Sequence, residues 1–199
     1  MLEVKDATIA IGDKKMAKGL SFIARDGELT CITGQEGTGK TTLLRTLMGF
    51  LPVEEGFVSV DGELLTTHSA HAFRCFMTYL PQEIQMLAHQ LRAPETPVCE
   101  ADEYGVWNSV LPTATAEQQA SQLSPEEIFL LAEQIITSSS DKQIVIADEP
   151  AAHLTPELSE RMLDLLWRQA KAGKTVLIAS RKPQIIAQAN QVINLNAFS

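Results

Sequence analysis

The sequence has little positive charge, few cysteines and no long apolar run. Its 199 residues carry 16 Lys and Arg against 25 Asp and Glu, a formal net charge of −9. A duplex-binding surface needs clustered Lys and Arg, so this charge argues against nucleic acid as a partner. No window approaches the ~18 consecutive apolar residues that span a bilayer, and the N-terminal segment shows no signal peptide. We therefore expect a cytoplasmic protein whose membrane role would depend on a partner.

The three cysteines, Cys31, Cys75 and Cys99, have neither the even number of a disulfide framework nor the spacing of a metal site. We interpret them as reduced, partly buried thiols. The composition, 45% hydrophobic and 21% charged, is ordinary for a globular protein. The length allows a substantial core, and no internal repeat divides the chain. We therefore expect a single domain over residues 1–199.

A glycine-rich motif at residues 34–42, GQEGTGKTT, is the most informative stretch. A β-prone run at 28–33 precedes it, and a segment with helical apolar spacing at 41–48 follows it. A strand, a glycine loop and a helix form the context of a phosphate-binding P-loop. The loop amides and the helix N-terminus converge on one point and favour negative charge there. The alternative is a chance glycine turn before a helix, against which the Lys-Thr pair and both flanks argue.

The motif gives its polar side chains specific roles. Lys40 is expected to reach the β- and γ-phosphates of a nucleotide, and the Thr41 hydroxyl is expected to bind Mg²⁺. The residues predicted to bind the nucleotide are Gly34, Gln35, Glu36, Gly37, Thr38, Gly39, Lys40, Thr41 and Thr42.

The second half of the predicted site follows an apolar run at residues 143–147, which ends in Asp148, Glu149 and Pro150. Ligands of open α/β sheets bind at the carboxyl ends of such buried strands. Asp148 is therefore expected to hold the Mg²⁺ ion, directly or through water, and Glu149 to polarise an attacking water. Two solvated carboxylates at a strand end are the alternative, which the phosphate loop earlier in the chain makes improbable.

Strands and helices alternate from residue 28 onward, which predicts an α/β fold with a mostly parallel sheet flanked by helices. Two β-prone runs, at 2–11 and 20–24, predict a small antiparallel region at the N-terminus. Residues 83–138 are interpreted as a reduced helical insertion. Near its end, Ser124, Pro125 and Glu127 predict a helix start with a capping box.

The two halves of the site together resemble the nucleotide-binding domain of ATP-binding cassette (ABC) proteins, over nearly the full length. The resemblance rests on the motif at 34–42, on Asp-Glu-Pro at 148–150, and on Gln82, which closes the strand before the insertion. It implies a P-loop NTPase fold that binds ATP and Mg²⁺, with Gln82 sensing the metal and the γ-phosphate. It also implies a homodimer or heterodimer of ABC subunits beneath a membrane permease. On its own, Gln82 would be an ordinary loop residue.

The family's signature segment is altered in this chain. It usually reads Leu-Ser-Gly-Gly-Gln and grips the γ-phosphate bound to the opposite subunit, whereas residues 123–127 read Leu-Ser-Pro-Glu-Glu. Pro125 removes one N–H donor, and Glu126 and Glu127 add negative charge where a phosphate should dock. The alternative is that these residues only cap a helix.

Three further positions depart from the family. Ser180 replaces a histidine that contacts the γ-phosphate, Thr155 replaces an aspartate, and Ile11 replaces an aromatic that stacks on adenine. Serine is too short to take over both roles of that histidine. His153 is a candidate substitute, although its place in a turn directs it toward a partner subunit.

Three functions remain open on the sequence. The first is an ATP-binding subunit of a membrane transporter with slow or asymmetric hydrolysis, held at the inner face of the membrane by a permease. The second is a nucleotide-binding regulatory module without turnover, which the altered signature favours. The third is a different P-loop kinase or GTPase, but the chain has no Asn-Lys-x-Asp guanine motif. We favour the first. Its permease contact would include Met86, Leu87 and Trp107, unless these fill the insertion's own core.

Overall fold

The computed structural model describes residues 1–11, 14–84 and 123–198. Within these ranges the chain forms nine β-strands, five α-helices and one short 3-10 helix. Most of the predicted insertion lies outside the described residues, and with it the expectation for Met86, Leu87 and Trp107. None of the described helices combines the length and apolar character needed to cross a membrane.

Four strands form an antiparallel sheet: β1 (Leu2–Ile11), β2 (Lys14–Ala24), β4 (Glu55–Val60) and β5 (Glu63–Leu64). Five form a parallel sheet: β3 (Leu29–Thr33), β6 (Met77–Leu80), β7 (Ile144–Asp148), β8 (Thr175–Ala179) and β9 (Gln191–Asn194). The strand orders are β2-β1-β4-β5 and β6-β7-β8-β3-β9. The predicted parallel sheet with a small antiparallel region is confirmed.

The helices are α1 (Lys40–Leu47), α2 (Ala70–Arg74), α3 (Pro125–Ser138), α4 (Pro156–Lys171) and α5 (Pro183–Gln188), and the 3-10 helix covers Leu195–Ala197. Proline begins three of them, because the first helical position needs no N–H donor. Ser124 and Thr155 cap α3 and α4 with their side chains, and the cap at Ser124 is the one that the sequence predicts.

Two apolar clusters hold the parallel sheet from opposite faces. On one face, Ile144 and Ile146 of β7 pack in the cluster that contains the leucines of α1 and the antiparallel sheet. On the other face, Val145 and Ala147 pack in the cluster that contains α3, α4 and α5. Because β7 is buried on both faces, its carboxyl end is held firmly. The N-terminus of α1 comes to the same edge of the sheet.

The start of one strand differs from the sequence prediction. β2 begins at Lys14 rather than at residue 20, because it is the edge strand that pairs with β1. Its lysine-rich first half suits an exposed edge rather than a buried strand. The last strand, β9, ends at Asn194, because the Asn194 side chain accepts a hydrogen bond from the Asn196 N–H and starts the 3-10 turn.

The described cysteines are free, but only one is buried. Cys31 lies in β3 with no exposed surface, and burial raises the pKa of its thiol to about 11. Cys75 is exposed, so the expectation that it is partly buried is wrong. Cys99 lies outside the described residues.

Candidate nucleotide-binding site

The glycine-rich loop connects β3 to α1 in a tight curve. Gly39, the residue before α1, has φ of 94° in the left-handed region. A Cβ atom there would lie 2.8 Å from Cβ of Met16 on β2. Only glycine meets both conditions without strain. Glycine at this position therefore lets the loop pass close to β2 where α1 begins.

Lys40 places a cation inside this loop. Its side chain is buried, with 8% exposure, and Nζ donates hydrogen bonds to the carbonyl oxygens of Gly34 (3.0 Å) and Gln35 (3.1 Å). The loop carbonyls thus hold the ammonium group at the centre of the curve. A phosphate oxygen is a stronger acceptor than a neutral carbonyl, so a phosphate could replace them.

Two further residues support the loop's shape. The Gln35 N–H donates to Oδ1 of Asn196 at 3.0 Å, and the Thr38 hydroxyl donates to the Gln35 carbonyl at 2.8 Å. Asn196 comes from the far end of the chain, and no sequence pattern identified it. Its contact means that one loop amide is already bonded to the protein.

Thr41 and Asp148 meet across the cleft, as expected for residues that share a metal ion. The Thr41 hydroxyl donates to Oδ2 of Asp148 at 2.7 Å. Asp148 is 1% exposed, and its Oδ1 has no hydrogen-bond partner in the described part of the protein. Burial raises the pKa of the Asp148 carboxyl, and the Thr41 hydrogen bond offsets this only in part. A buried carboxylate oxygen without a partner beside a hydroxyl fits a hard cation such as Mg²⁺.

The described residues include no cluster of three or more His, Cys, Asp or Glu that could hold a metal ion by itself. Mg²⁺ commonly uses one or two protein oxygens, with phosphate and water as the remaining ligands. Thr41 and Asp148 fit that mode, in which the metal arrives together with a nucleotide.

Glu149 follows in an unusual backbone conformation. Its φ is 44°, and its N–H donates to the Ala179 carbonyl at the end of β8 at 2.8 Å. Non-glycine residues rarely adopt this region, and such strain concentrates at functional sites. The turn directs the carboxylate into the same cleft as Lys40 and Asp148.

The cleft measures about 270 Å³, whereas a single water needs roughly 10–15 Å³ by a comparable measure, so a polyatomic ligand fits. We define the cleft by its lining residues, which are Met16, Glu36, Gly37, Gly39, Lys40, Thr41, Thr42, Gln82, Asp148, Glu149 and Arg181. Gln82 is exposed and follows β6. The structure therefore brings together Gln82, the two acidic residues and most of the predicted loop.

Arg181 lines the cleft although no sequence pattern assigned it a role. Its Nη1 lies 3.2 Å from Oε2 of Glu36, and its Nε lies 3.4 Å from Oε1 of Glu149. The contact with Glu149 is an ion pair without the geometry of a hydrogen bond. A signal was present, because a cation two residues past the end of a buried parallel strand lies at the ligand-binding edge.

Ser180, which stands at the position of the family's histidine, forms its described hydrogen bonds within the protein. It is buried, its N–H donates to the Ile32 carbonyl at 3.0 Å, and its hydroxyl accepts from the Lys182 N–H at 3.1 Å. The side chain thus shapes the turn after β8. The Nε2 atom of His153 lies 3.8 Å from Oε1 of Glu83, the residue that follows Gln82 in the sequence.

The altered signature forms a closed helix cap, which we define as residues 124–127. The Ser124 hydroxyl accepts from the Glu127 N–H at 3.3 Å, and the Glu127 carboxylate accepts from the Ser124 N–H at 2.9 Å. Pro125 has no N–H to offer. Two amides at this helix N-terminus, those of Ser124 and Glu127, are therefore already bonded within the chain.

A loop that follows a parallel strand, holds a lysine and faces a hydroxyl–carboxylate pair is the defining geometry of the P-loop NTPases. A family model for ABC transporters matches residues 17–152. The chain belongs to the ABC transporter family, as an ATP-binding cassette. This membership removes the third possibility, a different P-loop kinase or GTPase.

Relatives within the family have varied architectures. The hemin import ATP-binding protein HmuV of Methylobacillus flagellatus is 30% identical over 202 residues, covering 90% of this chain and 73% of that protein. The ABC transporter ATP-binding/permease protein Rv1747 of Mycobacterium tuberculosis is 28% identical over 218 residues, covering 98% of this chain. The ribose import ATP-binding protein RbsA of Bacillus licheniformis is 23% identical over 209 residues, covering 93%. The chain spans only 24% and 41% of the lengths of the last two.

Solved structures with the same fold cover almost the whole chain. An ABC transporter ATP-binding protein from Pyrococcus furiosus superposes with a TM-score of 0.70 at 19% identity, covering 100% of this chain and 98% of that one. The dimeric cassette MJ0796 bound to ADP and Pi gives 0.69 at 18% identity, covering 98% and 94%. At such identities the likeness concerns the fold.

Proposed function

We propose that this chain, acting as one cassette domain, is the ATP-binding subunit of an ABC-type transporter. It binds Mg-ATP in the cleft and couples binding and slow hydrolysis to a membrane permease. The observation that carries the nucleotide assignment is the 2.7 Å hydrogen bond from Thr41 to a buried Asp148 whose second oxygen lacks a described partner. Such a carboxylate is costly to bury unless a cation or donor satisfies it.

Lys40 and the loop would bind the phosphates. The ammonium group, now held by two carbonyls, turns to oxygens of the β- and γ-phosphates without leaving the loop. The first amides of α1 face the same point and add their partial positive charge. When bound, Mg²⁺ neutralises charge on the phosphates, and Thr41, Asp148 and Gln82 are the residues that would hold it.

Glu149 and Gln82 are the residues proposed to act on the attacking water. Glu149 carries a carboxylate into the cleft on a strained turn, which suits a group that orients a water and accepts its proton. Gln82 lines the cleft from the end of β6, and its amide can both donate and accept hydrogen bonds there. Both side chains line the same cleft as Lys40, which supports their proposed action near a phosphate bound by Lys40.

We further propose a permease subunit as partner and a dimer, either of two copies or with another ABC subunit, at the cytoplasmic face of the membrane. The names of relatives support transport: HmuV is a hemin import protein, RbsA a ribose import protein, and Rv1747 an ATP-binding/permease protein. The solved MJ0796 cassette, which shares the fold, is dimeric. The negative net charge gives no support to a nucleic-acid partner.

A second candidate is a nucleotide-binding regulatory module with little or no turnover. The observation that favours it is the closed helix cap, since the Ser124 amide is already bonded and Pro125 has none to offer a phosphate bound in a second copy. Both candidates bind nucleotide at the same cleft. They differ in whether a permease and a second, intact subunit accelerate hydrolysis.

The nucleotide assignment is tested by calorimetric titration of the purified protein with Mg-ATP. Loss of the Lys40 ammonium removes a charged donor to two phosphates, so Lys40→Ala should weaken binding by about 100-fold or more. Lys5→Ala, which removes an exposed lysine of β1, is the matched control and should bind like the wild type.

The absolute affinity should be modest, because Ile11 cannot stack on adenine as an aromatic residue does. Loss of such a stack weakens binding by on the order of 1 kcal/mol. Equal affinities of the wild type and Lys40→Ala, or no binding by either, would show that the loop does not bind nucleotide.

A further inference from the structure

Arg181 lies at the mouth of the cleft, between the phosphate loop and the end of β7. Its guanidinium contacts Glu36 of the loop at 3.2 Å and Glu149 at 3.4 Å. The Arg181 side chain is 52% exposed, so it lies at the boundary between cleft and solvent. It is the only described arginine or lysine other than Lys40 that lines the cleft.

The two contacts of Arg181 are unequal. The Glu36 side chain is 89% exposed, and ion pairs between exposed groups contribute little. The Glu149 side chain is 12% exposed, so that contact lies deeper. A guanidinium has five N–H donors, and these two contacts engage only a fraction of them. Arg181 can therefore leave Glu36 at small expense and still has donors for another anion.

The charges of the cleft show which anion fits. Glu36, Asp148 and Glu149 carry negative charge around a site that must accept a polyphosphate, and Lys40 lies at the closed end of the loop. Arg181 contacts Glu149, the residue proposed to act at the γ-phosphate. A guanidinium can bond two phosphate oxygens at once, and a polyphosphate carries more negative charge than the single exposed carboxylate of Glu36.

We propose that Arg181 binds the terminal phosphate of ATP, exchanging its contact with Glu36 for phosphate oxygens. It thereby supplies from within this chain the γ-phosphate contact that the buried, turn-forming Ser180 does not make. Because ADP lacks that phosphate, Arg181 determines the preference for ATP over ADP. This inference rests on the proposed nucleotide site but assigns a new residue to it.

The test compares the dissociation constants of Mg-ATP and Mg-ADP, measured by calorimetry, for the wild type and two Arg181 variants. Arg181→Ala should weaken ATP binding about 10-fold and change ADP binding less than about twofold, because a charged hydrogen bond is lost to one ligand only. Arg181→Lys should fall between, since an ammonium keeps the charge without the two-pronged geometry. A misfolded variant would lose both ligands, so the ATP-to-ADP ratio separates binding from folding.

Two further variants sharpen the result. Glu36→Gln removes the exposed competitor for the guanidinium and should raise the ratio of ATP to ADP affinity a few-fold, because only ATP offers a terminal phosphate to the released guanidinium. Arg168→Ala removes the same charge as Arg181→Ala from an exposed position on α4 and should change neither affinity.

An unchanged ATP-to-ADP ratio in Arg181→Ala would overturn the inference and leave the nucleotide site intact. Tighter ATP binding in that variant would overturn it as well, by showing that Arg181 opposes the nucleotide. Failure of the proposed function has a different signature, because the wild type would then bind neither nucleotide and both proposals would fall.

Discussion

The phosphate loop and the helix cap are both helix N-termini, but they are left in opposite states. At the loop, Lys40 donates hydrogen bonds to two backbone carbonyls, and Asp148 keeps a buried oxygen without a described partner. At the cap, Ser124 and Glu127 satisfy each other's amides. Both ends carry the partial positive charge of a helix. One end keeps groups that a ligand could bond, whereas the amides of Ser124 and Glu127 at the other end are already bonded within the chain.

The side chains of a helix N-terminus can thus bond its own amides and close it to an anion, while the helix itself is kept. The cap keeps the helix, its position and its serine, and it gains stability from a reciprocal pair of hydrogen bonds. The carboxylate of Glu127 accepts from the Ser124 N–H, so this amide is not available to a phosphate. The loop side keeps groups that a ligand could bond, and this arrangement is costly. Glu149 has a strained backbone, and the Asp148 carboxyl is buried.

The largest expected effect comes from reopening the cap. Replacing Pro125 with Gly, Glu126 with Gly and Glu127 with Gln restores the family's signature. Its N–H donors could then bond the γ-phosphate held by a second copy of the chain. Since one aimed donor commonly contributes ~100-fold in rate, steady-state phosphate release should rise by about that factor. The same changes combined with Glu149→Gln serve as the control and should give no rise. An unchanged rate, with ATP binding intact, would mean that the cap does not limit turnover.

Asp148→Asn tests the phosphate loop and the metal site beside it. It removes the charge proposed to hold Mg²⁺, so Mg²⁺ should no longer strengthen ATP binding, a loss of about 10- to 100-fold. The measurement is ATP affinity with and without Mg²⁺, with Asp164→Asn on the exposed face of α4 as the matched control. If Mg²⁺ strengthened binding equally in Asp148→Asn, the metal would have to be held elsewhere.

Ser124→Ala should change folding but not binding. Loss of the cap's acceptor removes its hydrogen bond with the Glu127 N–H and lowers the free energy of unfolding by about 1 kcal/mol. ATP affinity should stay the same, and Ser140→Ala in the exposed turn after α3 should leave both quantities unchanged. Weaker ATP binding in Ser124→Ala would contradict the separation between the two helix ends.

The smallest effect is a gain in stability of the free protein. Burial raises the pKa of Asp148 in the folded state, so its ionisation opposes folding and stability falls as pH rises above the ordinary value of 3.8. Asp148→Asn removes this penalty, and its unfolding midpoint at pH 7 should exceed that of the wild type. The difference in unfolding midpoint between the two proteins should narrow as the pH is lowered toward 3.8. A difference that did not depend on pH would have another cause.

Much of the fold could be predicted because its signals are local. The strand, glycine loop and helix at 28–48 and the capping box at Ser124 are written in neighbouring residues, and both formed as predicted. The apolar run that ends at Asp148 likewise marks a strand end at the ligand-binding edge. The start of β2 was missed because an exposed edge strand needs no apolar pattern.

The parts of the site that were missed depend on contacts between distant segments. Arg181 meets Glu36 from 145 positions away, and Asn196 reaches Gln35 from 161 positions away. No local pattern specifies such pairs, because they follow from the way β3, β8 and β9 are arranged side by side. The roles of the predicted site residues in binding and hydrolysis remain predictions.

The most direct test of the central claim measures ATP binding and steady-state phosphate release on the same purified protein, beside Glu149→Gln. The claim is that the phosphate loop binds Mg-ATP while the closed cap and Ser180 leave hydrolysis without the donors it needs. We predict clear binding by both proteins, with turnover of the wild type barely above that of Glu149→Gln. Brisk turnover of the wild type, abolished in Glu149→Gln, would contradict the account and show that the closed cap is tolerated.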